Sequence, residues 1–328
     1  MSDALPMVTV IIPTRPGQSE IKAVTAARAL DYPKDKLQII VARGNQPAVQ
    51  RNAALTSAKG ELIYFLDDDS VAQPNNLRRA LPHFADPTVK MAGGPSLCPP
   101  DAPRIEQVFA AVLGSWLAFG PSRARYEPVG AVRATSEKEL ILCNQLARRD
   151  SLLEAGGFSE ALYPNEENAL MDELQKRGGK LIYDPGLIAY RRPRSTLKSF
   201  GRMLLNYGRG RAEQFRVNPT VGSALNFVPP LFLVYLLTLP VVWNITFVTR
   251  LEHLPQWYSL PLAFYALATV LQGIVTVPRC GFVRSLLAVP LIVLTHLVYG
   301  LGFWRGLFTR IKKPGEKPTA VSLEILSP

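Results

Sequence analysis

Three adjacent carboxylates, in the stretch FLDDDS (65–70), follow a run of strand-forming apolar residues. Carboxylates placed side by side repel one another unless a cation neutralises them. Oxygen ligands of this kind hold Mg²⁺ or Mn²⁺, and the bound ion commonly bridges to phosphate groups of a substrate. A solvated acidic turn, or a cap for the following helix, is the alternative interpretation. The aspartates alone leave both open.

The surrounding pattern predicts the elements that position these carboxylates. Helical stretches are expected at about 19–30, 47–58 and 75–84, the last with Asn76 as a candidate cap. Alternating strands and helices predict an α/β fold with a doubly wound, mainly parallel sheet, in which ligands bind beyond the carboxyl ends of the strands. Asp67 to Asp69 fall at such an end. The apolar, β-branched stretches predicted as buried strands are 8–12, 37–41, 62–66 and 89–94.

Composition narrows the function classes. The chain has 328 residues, a formal net charge of +11, a sequence pI of about 9.7 and 48% hydrophobic residues. Basic and apolar features together indicate a membrane surface before nucleic acid. The three cysteines show no CxxC spacing, which argues against a disulfide framework or a zinc site, and the three histidines are too scattered for a metal cluster or a triad. The N-terminus lacks the features of a signal peptide, so the N-terminal part is expected in the cytoplasm.

Three long uncharged runs follow residue 216, and each supplies the roughly 20 apolar residues that cross a membrane. They predict transmembrane segments at about 226–248, 256–278 and 285–304. Buried helices of a large soluble core are the alternative. Eight Lys or Arg residues between 191 and 216 place that side in the cytoplasm. A third full crossing would export the basic residues after 304, so the third segment, which contains Pro290, is expected to be re-entrant or interfacial, and the side of the C-terminus stays open.

Four stretches of the first 190 residues together resemble family 2 glycosyltransferases. The resemblance covers roughly residues 7 to 190 and implies the GT-A fold. A looser resemblance, from Arg191 to Trp304, is to the exopolysaccharide branch of that family and is similar to succinoglycan-type enzymes. The four stretches are VTVIIPTRPG, ALDYPKDKLQIIV, QRNAALTSAKGELIYFLDDDS and RRDSLLEAGGFSEALYPNEENALMDELQKRGGKLIYDP.

The resemblance implies roles for the aspartates. Asp67 and Asp69 match the D-x-D pair that holds a divalent ion, Mg²⁺ or Mn²⁺, on the diphosphate of a nucleotide sugar, with Asp69 as the more direct ligand. Asp68 is expected near the ribose. The ion then stabilises the leaving diphosphate as a Lewis acid. Thr14, Arg15 and Arg51 match positions that line the nucleotide; a turn and surface charges are the alternatives.

The stretch NEENAL (165–170) matches the acidic dipeptide of the family at the start of a helix. Glu167 stands at the position of the catalytic base, which removes the proton of the acceptor hydroxyl in inverting transfer. The usual Asp is Glu here, which leaves Glu166 as a rival. A helix N-terminus that favours acidic residues is the alternative interpretation.

Two departures from the family pattern concern the nucleotide. The second strand of the family ends in an Asp that contacts the base, whereas this chain has Ala42, Arg43 and Gly44 there. The acidic residue expected after the first strand is also absent. A backbone contact or Arg43 can substitute, or donor binding has been lost, so the resemblance does not identify the donor.

Other basic residues are candidates for the acceptor or for lipid headgroups. Arg148 and Arg149 lie in the part that forms the acceptor side in the family, and they face either the acceptor or solvent. Apolar residues at helical spacing between 197 and 207, with arginines nearby, predict a basic amphipathic helix at the headgroup level. The alternative is a solvated helix that packs on the catalytic domain. The arginines assigned to this surface are Arg202, Arg209 and Arg211.

These patterns predict a membrane-anchored, inverting, metal-dependent glycosyltransferase of the inner (plasma) membrane. It is expected to use a UDP- or GDP-linked sugar and a lipid-linked acceptor, in exopolysaccharide or glycolipid synthesis, and to bind no nucleic acid. The alternatives are a polyprenyl-phosphate sugar synthase and a non-catalytic scaffold of a polysaccharide assembly complex. No Q-x-x-R-W motif of processive synthases is present, which favours single transfers. The predicted divisions are a GT-A domain (1–190), the basic interfacial helix (191–222), a transmembrane region (223–310) and a C-terminal tail (311–328).

Overall fold

A computed structural model divides the protein into two compact units. The first unit comprises Met1–Asp101, Pro121–Arg192 and Lys312–Pro328, and the second comprises Ala102–Gly120 and Pro193–Ile311. The residues that the structure describes are 5–162, 164–217, 219, 221–249, 254–311 and 320–328.

The first unit contains all the strands of the described residues. In chain order they are β1 (Val8–Thr14), β2 (Leu37–Arg43), β3 (Leu62–Phe65), β4 (Val71–Ala72), β5 (Val89–Gly93), β6 (Ser96–Leu97), β7 (Arg133–Thr135), β8 (Gln145–Arg148), β9 (Lys180–Tyr183), β10 (Ala189–Tyr190) and β11 (Ser322–Leu326). Its α-helices are α1 (Lys22–Arg28), α2 (Pro47–Ser57), α3 (Asn76–Ala80), α6 (Arg149–Glu154) and α7 (Glu166–Lys176), while α4 (Arg104–Leu113) and α5 (Trp116–Phe119) belong to the second unit.

Within the described chain, eight strands form one sheet in the order β11-β2-β1-β3-β8-β5-β9-β7. Strands β2, β1, β3, β5 and β9 run in one direction, and β11, β8 and β7 run against them. The mixed, mainly parallel α/β sheet predicted from the sequence is therefore confirmed. Both faces are buried: Val10 and Ile12 pack into one apolar cluster, and Ile11 packs into the other. Burial on both faces explains why these strands read as continuous apolar runs.

The predicted strand and helix positions agree closely with the structure, with two exceptions. Asn76 does not cap α3: it is the first helical residue, and its side chain donates to Tyr64 Oη (3.0 Å) and to the Ile188 carbonyl oxygen (2.8 Å). Residues 322–326, which the sequence assigned to a tail, form β11 and pair antiparallel with β2. Apolar residues alternate with Ser322 and Glu324 in this segment, as in a half-buried strand.

A second, small sheet orders the chain after the aspartates. In the described residues it has the order β4-β10-β6. Strand β4 begins two residues after Asp69, and β10 pairs with it antiparallel, Tyr190 opposite Val71. Continuing that register by one residue sets Arg191 opposite Ser70. The Arg191 backbone N–H also donates to the Leu97 carbonyl oxygen (2.9 Å), which fixes the residue beside β6.

The second unit is helical in the described residues. After α4 and α5 it contains α8 (Leu197–Val217), α9 (Val228–Thr249), α10 (Leu254–Cys280) and α11 (Phe282–Phe308). In the part of the chain that the structure describes, three stretches are long and apolar enough to cross a membrane: Ser223–Ile245, Gln256–Cys280 and Phe282–Phe308. These agree with the three predicted segments. Only Gly281 separates α10 from α11.

Helix α8 is amphipathic, as predicted, but its apolar side is covered by protein within the second unit. Phe200 and Leu204 are fully buried. The Phe200 ring stacks on Phe109 of α4 with 4.3 Å between ring centroids. Glycines allow α8 and α11 to approach closely, since a Cβ added at Gly208 or Gly302 would lie about 2 Å from a carbonyl oxygen of the other helix. The apolar stripe of α8 thus packs on α4 and α11.

Candidate active site

The carboxyl ends of β1 and β3 bring Thr14 and the aspartates together. The parallel register pairs Ile11 with Phe65, so Thr14 comes level with Asp68 three residues further on. The Thr14 hydroxyl oxygen lies 3.4 Å from Asp68 Oδ2, to which it donates. The aspartates therefore occupy the predicted edge of the sheet. Arg15, by contrast, is exposed in the turn that follows β1.

Arg51 joins the aspartates to the acidic start of α7. It is 5% exposed on α2, and one guanidinium nitrogen donates to Asp67 Oδ1 (3.1 Å) while the other donates to Glu166 Oε1 (2.9 Å). The surface-charge alternative for Arg51 is therefore wrong. A buried guanidinium shared by two carboxylates fixes the spacing between the end of β3 and the start of α7.

Arg191 holds the other side of the aspartates. Its Nη1 lies 2.8 Å from Asp67 Oδ2, and its Nε lies 2.8 Å from Asp69 Oδ1. The Asp69 Oδ1 contact is an ion pair without hydrogen-bond geometry, since this buried oxygen has no hydrogen-bond partner. Both oxygens of Asp67 thus face guanidinium groups, one from Arg51 and one from Arg191.

The two glutamates at the start of α7 differ in environment. Glu166 is 3% exposed and faces Arg51, whereas Glu167 is half-buried. Burial, followed by the charge of Glu167, raises the pKa of Glu166 to about 8, against the opposing effect of Arg51. Glu166 Oε2 is buried without a hydrogen-bond partner. Glu166 therefore acts on Arg51, and Glu167 is the more accessible carboxylate of the pair.

The residue directly before this acidic pair has an unusual backbone conformation. Asn165, the residue before α7, has a φ of 101°, in the left-handed region that Asn tolerates better than most residues. The Asn168 side chain donates to Asn165 Oδ1 (2.8 Å), and Arg125 in turn donates to Asn168 Oδ1 (2.6 Å). The helix N-terminus also favours the adjacent carboxylates.

Asp68 is partly buried and lies beside two other carboxylates. Burial raises its pKa, as do the charges of Asp69 and Asp67, while Arg191 and a hydrogen bond from Gln18 oppose the rise. Asp67, Asp69 and Glu166 pair with the guanidinium groups of Arg51 and Arg191, Asp68 lies within the field of Arg191, and Glu167 adds its charge beside Glu166. We refer to these seven residues as the aspartate cluster. It carries an excess of negative charge.

The aspartate cluster fits a divalent ion in its donor chemistry. In the described residues, no group of three or more His, Cys, Asp or Glu side chains is arranged to hold a metal by itself. Mg²⁺ and ions like it are commonly held by one or two carboxylates, with substrate phosphates and water completing the ligands. Asp67 and Asp69 supply two such carboxylates, and the buried Asp69 Oδ1 has no hydrogen bond to lose. Two carboxylates already share one cationic group here, that of Arg191.

Comparison with known proteins matches the part of the first unit that contains Arg51 and the three aspartates. Residues 19–129 match the family model described as glycosyl transferase family 2. This part of the chain is similar to the domain of family 2 glycosyltransferases. The matched residues include the aspartates, and the fold around them is GT-A. No curated protein sequence matches the chain significantly, and the further resemblance to succinoglycan-type enzymes stays a prediction.

Solved structures resemble the chain over most of its length. A mannosyltransferase, PcManGT from Pyrobaculum calidifontis in complex with GDP-Man and Mn²⁺, is 17% identical, with a TM-score of 0.52, and the match covers 93% of this chain and 88% of that one. S. aureus TarS 1-349 in complex with UDP is 13% identical, with a TM-score of 0.42, and the match covers 98% of this chain and 97% of that one. The first likeness shows the shared fold.

The glycosyltransferase domain has an altered edge at β2, where the sequence lacks the expected acid. Ala42 is fully buried and pairs with Leu323 of β11. Arg43 forms an ion pair with Glu324 and donates to the Gln18 carbonyl oxygen (2.8 Å). An acidic side chain therefore does reach the end of β2, and it comes from the last strand of the chain.

The structure does not bring Arg148 and Arg149 to the aspartate cluster. Arg148 pairs with Leu62, at the amino end of β3, whereas the aspartates follow its carboxyl end. The Arg148 side chain donates to the carbonyl oxygens of Val89 (2.9 Å) and Phe84 (2.6 Å). Arg148 thus connects strand ends within the domain.

The basic residues of α8 belong to the second unit. Arg202 is exposed, Arg209 lies 3.4 Å from Glu213, and Arg211 donates to Gln214 (3.2 Å). Their assignment to lipid headgroups or the acceptor stays a prediction.

Sequence reasoning missed Arg191 as a site residue and counted it only among the charges before the first apolar segment. No motif marks it. Its place depends on the pairing of β10 with β4 across more than 100 residues, and local pattern gives no sign of that pairing.

Proposed function

We propose that this protein is an inverting, metal-dependent glycosyltransferase that moves a sugar from a nucleotide-sugar donor to a lipid-linked acceptor. The observation that carries the proposal is the arrangement at one edge of the sheet: Asp67 and Asp69 after β3, with Glu166 and Glu167 at the start of α7, linked through Arg51. A family 2 domain that presents excess negative charge at this edge is suited to a divalent ion and a diphosphate.

The residues of the cluster have separate tasks in this proposal. Asp67 and Asp69 hold the divalent ion, and Asp68, hydrogen-bonded to Thr14, faces the nucleotide. The ion, when bound, neutralises negative charge that develops on the leaving diphosphate. Arg51 keeps Asp67 and the start of α7 in a fixed relation.

Glu167 is the proposed general base. It takes the proton of the acceptor hydroxyl as that oxygen forms a bond to the anomeric carbon, and the bond from that carbon to the donor phosphate oxygen breaks. Attack from the face opposite the leaving group inverts the anomeric configuration. Glu166 is a positioning residue, because its carboxylate is buried against Arg51 and contributes through that contact.

The acceptor is proposed from the second unit. Three helices that can each cross a membrane follow the domain, and a soluble acceptor would not require such an anchor. The cytoplasmic face of the cell's plasma membrane is the proposed location, because a basic stretch precedes the first apolar segment. The PcManGT structure, which is similar in fold, holds GDP-Man and Mn²⁺, so a GDP-linked sugar is the donor to test first, beside the UDP-linked sugars expected from the sequence.

Transfer of labelled sugar in membranes that contain the full chain tests the proposal. A panel of UDP- and GDP-linked sugars is supplied with Mn²⁺, Mg²⁺ or a chelator. We expect transfer from one donor into the lipid fraction, lost with chelator and in Asp69→Asn. Asp150→Asn is the matched control, because that carboxylate is 87% exposed. Equal transfer by Asp69→Asn and the wild type would contradict the site assignment.

A polyprenyl-phosphate sugar synthase is the second candidate. A phosphate acceptor carries no hydroxyl proton that a base must remove, so Glu167→Gln would retain activity. That result, together with loss of activity in Asp69→Asn, would favour the synthase.

A further inference from the structure

We infer that Arg191 is an exchangeable counter-ion of the metal site, which the divalent ion displaces and which the donor diphosphate then binds. The inference rests on the proposed function. It starts from one geometric fact: a single guanidinium reaches a carboxylate oxygen of Asp67 and one of Asp69, each at 2.8 Å. These are the two carboxylates proposed to hold the ion.

Charge explains why Arg191 holds this position. Asp67 and Asp69 stand side by side with Asp68, and like charges at this separation destabilise the folded state when no cation is present. Arg51 neutralises only one oxygen of Asp67, and its second partner is Glu166. Arg191 supplies the cation that Asp69 otherwise lacks. The protein can therefore fold with no ion bound.

Exposure distinguishes the two arginines. Arg51 has only 7% of its side chain exposed, whereas Arg191 has 29% and its partner Asp69 has 45%. Arg191 can thus leave the aspartates by side-chain rotation while its backbone stays bonded to Leu97. Arg51 has no such freedom. Because a guanidinium matches phosphate geometry, a released Arg191 beside the aspartates is suited to the donor diphosphate.

Two opposite effects on binding follow from one substitution. Arg191→Gln removes the competitor, so we expect Mn²⁺ alone to bind about tenfold more tightly, as for the loss of one competing charge-assisted contact. With Mn²⁺ saturating, we expect GDP or UDP to bind at least about threefold more weakly, because a phosphate partner is gone. A residue with a purely structural role would weaken both.

Electron paramagnetic resonance of free Mn²⁺ and calorimetry with GDP and UDP, on the full chain in detergent, measure these affinities. Arg191→Lys keeps the charge and should give intermediate values, which provides a second variant if Arg191→Gln folds poorly. Arg78→Gln is the control, since Arg78 pairs with Asp31 on the surface, and it should change neither affinity.

The outcomes separate this inference from the proposed function. Unchanged or weaker Mn²⁺ binding in both Arg191 variants, in a background where the wild type binds Mn²⁺ with a nucleotide, overturns the role of Arg191 alone. A wild type that binds neither Mn²⁺ nor nucleotide overturns both.

A second inference concerns the membrane and rests on strand pairing alone. We infer that α9 and α10 cross the membrane as a pair and that both ends of α11 stay on the side of the glycosyltransferase domain. Strand β11 follows the three apolar helices in the chain, yet it pairs with β2, which precedes them. Two strands of one sheet lie on one side of a membrane. An even number of the three helices must therefore cross.

No other part of the intervening sequence can supply a crossing. Residues 309–321, between α11 and β11, include five charged residues and two prolines, and they are fewer than the roughly 20 apolar residues that a crossing needs. Helix α8, before α9, contains too many arginines to span. The even number of crossings must therefore come from α9, α10 and α11.

Two observations select α11 as the helix that does not cross. Its most apolar stretch is 39% buried by protein, against 6% for α9 and 17% for α10. Its C-terminal half packs against the charged α8, where an added Cβ at Gly302 would lie 2.1 Å from the Leu205 carbonyl oxygen. Because α8 is too charged to enter the hydrocarbon core, the half of α11 that packs on it also stays at the membrane surface.

The charge distribution agrees with this arrangement. Basic residues flank both ends of α11, with Arg279 and Arg284 before or within its first turn and Arg305 and Arg310 at its end. The sequence between α9 and α10, RLEH, has one Arg balanced by Glu252. Positively charged connections stay in the cytoplasm, so the connection between α9 and α10 is the exported one.

Labelling of single cysteines in intact cells by a membrane-impermeant maleimide tests the topology. In the full chain with Cys98, Cys143 and Cys280 replaced by Ser, we introduce Ser2→Cys, His253→Cys or Ser327→Cys. We expect labelling only of His253→Cys before permeabilisation. Labelling of Ser327→Cys with protection of Ser2→Cys would overturn the inference, as would protection of His253→Cys. A fluorescent reporter fused after Pro328 gives an independent readout of the C-terminal side, and its location opposite the domain would also overturn it.

Discussion

Two carboxylate–arginine clusters stand at strand ends of the same sheet, and they differ in charge balance. Asp184 follows β9 and is 2% exposed. Its carboxylate accepts hydrogen bonds from Arg79 (2.8 Å) and from the Gly186 backbone N–H (2.9 Å), and its Oδ2 lies 2.9 Å from His83 Nε2. One carboxylate there meets several donors. The aspartate cluster has five carboxyl groups and two arginines, and only Asp67, Asp69 and Glu166 pair with those arginines.

The pKa shifts of the two clusters run in opposite directions. Burial alone would raise the pKa of Asp184, but the hydrogen bonds from Arg79, His83 and Gly186 outweigh it and lower that pKa. Burial and neighbouring aspartates raise the pKa of Asp68. Position at a strand end is therefore not enough to mark a functional carboxylate. The balanced cluster stabilises the fold, and the unbalanced one is suited to a cationic ligand.

The largest expected effect is on chemistry at the unbalanced cluster. Glu167→Gln removes the proposed base and should lower the transfer rate by about 10²- to 10⁴-fold, while Mn²⁺ and nucleotide binding are retained. Rates of labelled-sugar transfer under single-turnover conditions measure it. Glu173→Gln, on the same helix and paired with Arg177 at the surface, is the control. A rate within threefold of the wild type in Glu167→Gln would exclude its role as base.

The next effect is on stability, at the balanced cluster. Asp184→Asn leaves Arg79 and His83 without their buried anion and should destabilise the domain by about 3 kcal/mol. Thermal unfolding of the full chain in detergent measures the change. Asp68→Asn should leave the unfolding temperature unchanged or raise it, because it relieves repulsion. A larger loss of stability in Asp68→Asn than in Asp184→Asn would contradict the comparison.

The contribution of Glu166 to the stability of the fold should depend on pH. The pKa of Glu166 is raised from 4.5 to about 8 in the folded protein, so folding favours its protonated form. Its favourable contribution is fully present below about pH 4.5 and is lost as the pH rises through about 8. The wild type should therefore lose stability relative to Glu166→Gln as the pH rises from 5 to 8. Unfolding temperatures of both proteins at several pH values test it, and a constant difference would contradict the shift.

The smallest effect is expected at a third pair, Arg43–Glu324, which lies at the surface with 43% of the Glu324 side chain exposed. Glu324→Gln should change stability by less than about 1 kcal/mol, as is usual for exposed ion pairs. Unfolding in urea with and without 0.5 M salt measures it. A loss comparable to that of Asp184→Asn would mean that exposure does not separate these clusters.

The sequence predicts the elements of the domain well because its signals are local. Apolar runs mark β1, β2 and β3, and the aspartates mark the end of β3 directly. Asp184 shows no comparable signal of its partners, because Arg79 and His83 come from more than 100 residues earlier in the chain. The same distance hides Arg191, whose position depends on β10 pairing with β4.

At the edge of the sheet beside β2, local sequence predicts a strand but not the strand with which it pairs. The alternation in VSLEIL indicates a strand, but nothing local identifies β2 as its partner across about 280 residues. Local pattern therefore gives no sign that Glu324 brings an acidic side chain to the end of β2. Helices α4 and α5, which the sequence left within the GT-A domain, fold with the second unit for the same reason: their apolar partners lie in distant helices.

Calorimetric titration of GDP and UDP into the full chain, with and without Mn²⁺, tests the central claim most directly. That claim is that the unbalanced cluster binds a divalent ion together with a nucleotide diphosphate. We predict that one nucleotide binds only when Mn²⁺ is present, and at least about tenfold more weakly in Asp69→Asn than in Asp150→Asn. Binding of neither nucleotide in the presence of Mn²⁺, or equal binding without the ion in both variants, would contradict the account.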